Sequence, residues 1–171
     1  MAVVATDHLS LCLEHLRAAI AASATFRAEV EAANEEAALG SIHKFWADDR
    51  CDDQARPRAV VGYAGDIASE RESFSGLVST GPLWVLFEFD PEHGLTDHRD
   101  QGTDFTNKIG AILSEMHAAA VARPDLYLVI ERFEMTGFDQ VSAEEATGRL
   151  DSGDDQVGEY WWAEFICYWE G

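Results

Sequence analysis

The stretch Asp90-Pro-Glu-His-Gly-Leu-Thr-Asp-His-Arg-Asp100 holds the densest set of side chains that could bind a metal: His93, Asp97, His98 and Asp100. A metal centre needs several such ligands converging in space, each steadied from behind by a further hydrogen bond. Here they are bunched on one polar segment and match no recognised ligand spacing, which favours a solvated loop. Asp48, Asp49, Asp52 and Asp53 carry the charge of a calcium loop but lack its alternating aspartates, its glycine and its closing glutamate. They read as a solvated acidic turn.

Covalent catalysis finds little footing. Ser73 and Ser75 lie near Gly76, but no Gly-x-Ser-x-Gly elbow surrounds them. Cys12 falls in an amphipathic helical pattern and Cys167 in an apolar strand, so neither has the exposed, electropositive setting of a reactive thiol. His117 follows Met116 on a helix and reads as a structural histidine. Arg132 stands between Glu131 and Glu134 on a strand, where a cross-strand ion pair is the expected role. No glycine-rich loop leads from a strand into a helix as a phosphate cradle requires. The reading is a chain with no catalytic set, no cofactor site and no required metal. A small enzyme or ligand-binding domain using the His93–Asp104 loop is the alternative from another class.

Charge excludes further classes. The 171 residues carry 32 Asp and Glu against 12 Lys and Arg, a net of −20. Residues 1–60 hold ten acids and six bases; residues 61–171 hold 22 and six. Such a surface repels phosphate backbones, so sequence-specific binding of nucleic acid is not expected. Only Lys44 and Lys108 are lysines. A lysine-poor, acidic surface suits a salt-adapted host, since at about 1 M salt the screening length falls to roughly 3 Å. No apolar run approaches the length of a membrane span. The first residues show no basic region followed by an apolar core, so no secretory signal is expected. Cys12, Cys51 and Cys167 are odd in number and widely spaced, as thiols of a reducing compartment.

The elements that must carry these residues are legible from periodicity. Thr6 or Asp7 caps a first helix whose stripe is Leu9, Leu13, Leu16 and Ile20. Ser23 and Thr25 mark a break, and Phe26 and Val30 carry a second helix to about Ala38, stopped at Gly40. Ile42–Trp46 and Arg58–Tyr63 predict strands. Residues 65–81 read as a Gly- and Ser-rich turn region, although Glu70–Leu77 could be the outer end of a strand. Leu83–Phe89 predicts a strand ended by Pro91, and residues 90–104 a polar loop. A helix over 103–121, capped by Thr103 or Asp104, presents Phe105, Ile109, Ile112, Leu113, Met116 and Ala120 on one face. Leu126–Met135 predicts a strand, and residues 137–156 a long polar excursion. A helix between Leu83–Phe89 and Leu126–Met135 permits a parallel crossover.

The last strand, Gly158 to Gly171, contains three of the five tryptophans. One face carries Trp161, Ala163, Phe165, Cys167 and Trp169; the other carries Tyr160, Trp162, Glu164, Ile166 and Tyr168. Both faces are largely apolar, so both are expected to be covered, by a helix, by another sheet or by another copy of the chain. A hairpin with Leu126–Met135 is expected but not forced. Together the elements predict one α+β domain over residues 1–171: a single mainly antiparallel sheet, an amphipathic helix packed on one face, and N-terminal helices.

This order resembles the tail terminator (tail completion) proteins of long-tailed viruses and prophages. They begin with an amphipathic helix and a Ser-x-Thr-Phe break, here Ser23-Ala-Thr-Phe26. A Pro-preceded strand follows, here Arg56-Pro-Arg-Ala-Val-Val-Gly62, then a strand and an amphipathic helix, then two long strands separated by an extended loop. The resemblance spans nearly the whole chain. It implies a structural virion protein without catalysis: a homo-oligomeric ring, usually of six subunits, at the head-proximal end of the tail tube. Its partners would be the tail tube protein and the head connector, and DNA would pass through without specific binding. Another neck or minor tail protein, such as a head-closure protein, is the near alternative.

Overall fold

The computed structural model describes residues 8–44, 56–65, 68–73, 76–123, 129–142 and 159–170. The acidic turn Asp48–Asp53, Cys51, Ser75 and residues 143–156 of the long excursion lie outside them. The chain forms an α+β fold with one mixed, mostly antiparallel sheet.

The N-terminal part is helical. Helix α1 (His8–Ala22) buries Leu13, Leu16, Ala19 and Ile20 along one stripe. Ser23 ends it and starts α2 (Ala24–Glu29), its side chain accepting from the Phe26 amide at 3.0 Å. The second helix was expected to run to Ala38, but it stops at Glu29. Glu31 takes a left-handed φ of 52°, and α3 (Glu35–Ala38) restarts under an Asn34 cap. A left-handed residue cannot continue a right-handed helix, and Asn at a cap supplies the acceptor for a new one.

Strands β1 (Ile42–Lys44), β2 (Arg58–Tyr63), β4 (Gly76–Phe89), β6 (Tyr160–Glu170) and β5 (Val129–Val141) lie side by side in that spatial order. Of the hydrogen-bonded neighbours among the described strands, only β1 and β2 run parallel. Strand β3 (Ala68–Ser73) pairs antiparallel with the first part of β4. The 65–81 turn region is therefore corrected to mostly strand, its second half continuous with Leu83–Phe89. At Thr80 the other edge of β4 meets Glu170, so β3 continues the edge that β2 occupies. The hairpin runs on past the last β6 residue: β4 positions 76–79 pair with β3 alone among the described strands.

Between β4 and β5 comes α4 (His98–Ala122). It begins five residues before the expected Thr103 start, because Asp97 rather than Thr103 or Asp104 supplies the cap. Asp97 Oδ1 accepts from the amides of Arg99 at 2.9 Å and Asp100 at 3.3 Å. The crossover is realised with a difference. Strands β4 and β5 are parallel, but β6 lies between them, antiparallel to both.

All the main helices sit on one sheet face. Trp161, Ala163, Phe165, Cys167 and Trp169 point to them and are buried together with Phe87, Phe89, Phe105, Ile109 and Met116, with Leu113 at the margin. Aromatic rings tie the layers: Phe26 lies 6.3 Å from Phe87 and from Phe89, Phe89 5.7 Å from Phe105, and Phe105 6.1 Å from Trp161. Gly102 permits a close approach of helix to sheet, since a Cβ there would meet Trp161 Cη2 at 2.9 Å.

Trp169 is 1% exposed at the centre of this layer. Large-to-small changes at such aromatic sites cost about 3–5 kcal/mol, a large share of a domain's stability. Trp169→Ala should yield insoluble or unfolded chain. A cooperative thermal transition from a soluble variant would show the strand to be peripheral.

Candidate functional site

The second face of the sheet meets no described helix. Trp84 and Leu86 from β4 and Trp162, Ile166 and Tyr168 from β6 are all only half-buried there. The registers Gly62↔Trp84↔Ile166↔Glu134 and Val60↔Leu86↔Glu164↔Gly137 set them in rows across four strands. Trp162 folds over Gly137, where a Cβ would stand 2.5 Å from its ring. Thr136 donates to Glu164 at 2.5 Å.

Cations close two corners of this face. Arg58 and Glu88 form a buried ion pair on neighbouring strands. Arg56 bonds Asp90 at 3.2 Å and lies 4.1 Å over the Tyr160 ring. At the other end Arg132 lies 4.1 Å over Tyr168. Arg132 thus stacks on an aromatic ring, where a cross-strand ion pair was expected. Guanidinium groups over aromatic faces gain quadrupole attraction while staying partly hydrated.

On the helix side, β5 projects beyond the cover of α4. Met135 is 59% and Phe138 40% exposed. Between β5 and the first turns of α4 lies a hollow of about 360 Å³, lined by His98, Arg99, Gly102, Thr103, Thr106, Asn107, Phe138 and Trp161. His98 lies 4.9 Å from Trp161 and Phe138 5.6 Å from it. The Trp161 indole nitrogen is buried with no acceptor among the described residues.

The sequence candidates for metal binding are dispersed in role. Asp97 caps α4, His98 stacks on Trp161, and His93 and Asp100 are exposed. Among the described residues no group of three His, Cys, Asp or Glu side chains is placed to hold a metal ion. Cys12 and Cys167 are buried, and burial pushes the Cys167 thiol up to about 12. No described helix is long and apolar enough to cross a membrane.

Two electrostatic knots escaped the sequence reading. Lys108 Nζ contacts Glu29 at 2.8 Å, Glu92 at 2.6 Å and Asp104 at 2.9 Å, joining α2, the 90–97 loop and α4. Burial pulls the ammonium's pKa down, but the three carboxylates override this and hold it well above the ordinary lysine value. Glu115 on α4 is the second. It accepts from Ser23 Oγ at 2.6 Å, the Thr25 amide at 3.0 Å and Thr25 Oγ1 at 3.0 Å. The Ser-x-Thr-Phe break is thus a helix start held by a carboxylate from another helix, with Phe26 in the core.

No protein-family model matches the chain, and no curated protein matches it in sequence.

Burial pushes the Glu115 carboxyl up, and the hydrogen bonds from Ser23 and Thr25 outweigh it, so its pKa lies below the ordinary 4.5. A lowered carboxyl contributes stability above its unfolded value and loses it as pH falls through the folded value. Glu115→Gln should therefore be less stable than the parent at neutral pH by about 1.5–3 kcal/mol, the usual worth of a charged hydrogen bond. Urea melts should show this gap closing below about pH 4. A gap independent of pH would mean that packing, not charge, holds the break. For the loop, His93→Ala and His98→Ala should leave the melting midpoint nearly unchanged, while Asp97→Ala should cost about 1 kcal/mol through the lost cap. A metal present in stoichiometric amount and lost with these changes would restore the metal reading.

Proposed function

We propose that the protein is a structural virion component, a tail terminator that forms a homo-oligomeric ring at the head-proximal end of a tail tube. There it ends tube growth and joins the tail to the head connector. The observation that carries this reading is the order of elements: amphipathic helix, Ser23-Ala-Thr-Phe26 break, strand after Pro57, strand, long helix and two long strands. The ring size of six comes from the resemblance.

One physical feature supports the reading. The charge of −20 suits a channel for DNA, since carboxylates facing the lumen repel the phosphates they must let pass.

The experiment is mass measurement with negative-stain imaging, followed by light scattering across a salt series. At low salt the negative charge of each subunit should push the ring apart, and added salt should restore it. A strict monomer at every salt concentration, even with tube protein present, would sink the assembly. A basic lumen would remove the DNA-repulsion argument and leave the ring standing.

A further inference from the structure

Strand β5 is a long edge. It pairs with β6 on one side and with no described strand on the other. Bulges at Ile130–Arg132 and Met135–Gly137 interrupt its register. Bulges of this kind keep a flat edge from pairing along its whole length. After the second bulge the register is regular from Gly137 to Val141. The hollow lies against this same stretch, since Phe138 forms part of its wall. A strand added at Gly137–Val141 would turn alternate side chains toward the helix side, over Phe138 and toward Thr106 and Asn107 on α4.

Charge names the occupant. Exposed Glu131, Glu134 and Asp139 lie along β5, and Asp100 lies on the facing helix. Lys108 is already held by three carboxylates, and Arg132 stacks on Tyr168 on the opposite face. Arg99 is the one basic residue on the wall of the hollow. A second copy would bring its own net −20 and the same bulged, acidic strand. Nucleic acid would be repelled.

We propose that the Gly137–Val141 edge and the α4–β5 hollow form a docking site for a short, extended, basic segment of a partner protein. The segment adds as a strand, rests an apolar side chain on Phe138 on the helix side and sets its cations beside Asp139 and Glu134 on the opposite face. The docking does not rest on the ring reading, because every residue of the site belongs to one subunit.

The probe is a synthetic peptide of about seven residues, lysine alternating with valine and with phenylalanine at its centre, long enough to span the regular stretch. Calorimetric titration should show binding, and amide hydrogen exchange should slow at residues 137–141. A peptide with glutamate in place of lysine should not bind. Phe138→Ser and Thr106→Trp, which fills the hollow, both keep every charge, change exposed positions and should fold; each should weaken binding at least tenfold. Four results would overturn the proposal. One is binding without protection of 137–141. Another is equal affinity in both variants, which would indicate attraction by charge alone. A third is equal binding of the glutamate peptide. The last is protection of 137–141 that rises with protein concentration in the absence of peptide, which would make a second copy the occupant.

Discussion

Strand β6 must sit between two strands that cannot reach each other without it, and the rest of the sheet follows from that constraint. It shares ten residue pairs with β4 and eleven with β5, and every odd position from Trp161 to Trp169 faces the helices. Because side chains alternate strictly, a slip of one residue would turn the tryptophans of the core outward and bring Glu164 in. The apolar demand of the helix face fixes the register, and the register fixes what the opposite face displays. Trp84, Trp162, Ile166 and Tyr168 are therefore turned to the second face as a consequence of burying their neighbours.

The polar contacts work at the seams this layering leaves. Glu115 fastens the start of α2 to the middle of α4, and Lys108 gathers a helix, a loop and a second helix around one ammonium. Arg58 and Glu88 meet on adjacent strands in a buried pair. Breaking such a pair leaves a lone charge without solvent, so it enforces register even where its net contribution to stability is small. In a chain so rich in carboxylates, Lys108 stands where one positive charge neutralises three negative ones.

The sequence made the fold class and the core legible. Alternation in β6 and the 3.6-residue stripe of α4 both report burial, and both layers came together as read. The misses have local causes. The first turn of α4, His98-Arg99-Asp100-Gln101-Gly102, has no apolar residue to extend the stripe, so only the Asp97 cap could have announced it. Gly76, Gly81 and Pro82 look like punctuation, yet Pro82 faces Tyr168 within the ladder and Gly76 opens the hairpin. Strand β5 continues through Gly137, which sequence alone reads as a strand end, because the Trp162 ring occupies the space a side chain would need. The surface proposed for docking was the least legible part. It depends on which edge stays free, and that is a property of strand order, not of any one segment. Glu115 was invisible for a similar reason, since its partners lie about ninety residues away.

The disposition of the two lysines has a consequence for chemistry done on this molecule. Lys108 is enclosed by three carboxylates, and Lys44 pairs with Glu14, which also binds Arg17. With its pKa raised, Lys108 is a poor nucleophile, because acylating reagents attack only through the neutral amine. Amine-directed labels and cross-linkers would find few productive targets on the described surface, however closely subunits or partners approach. Carbodiimide activation of the abundant acids, coupled to an added diamine, is the chemistry to which this surface answers.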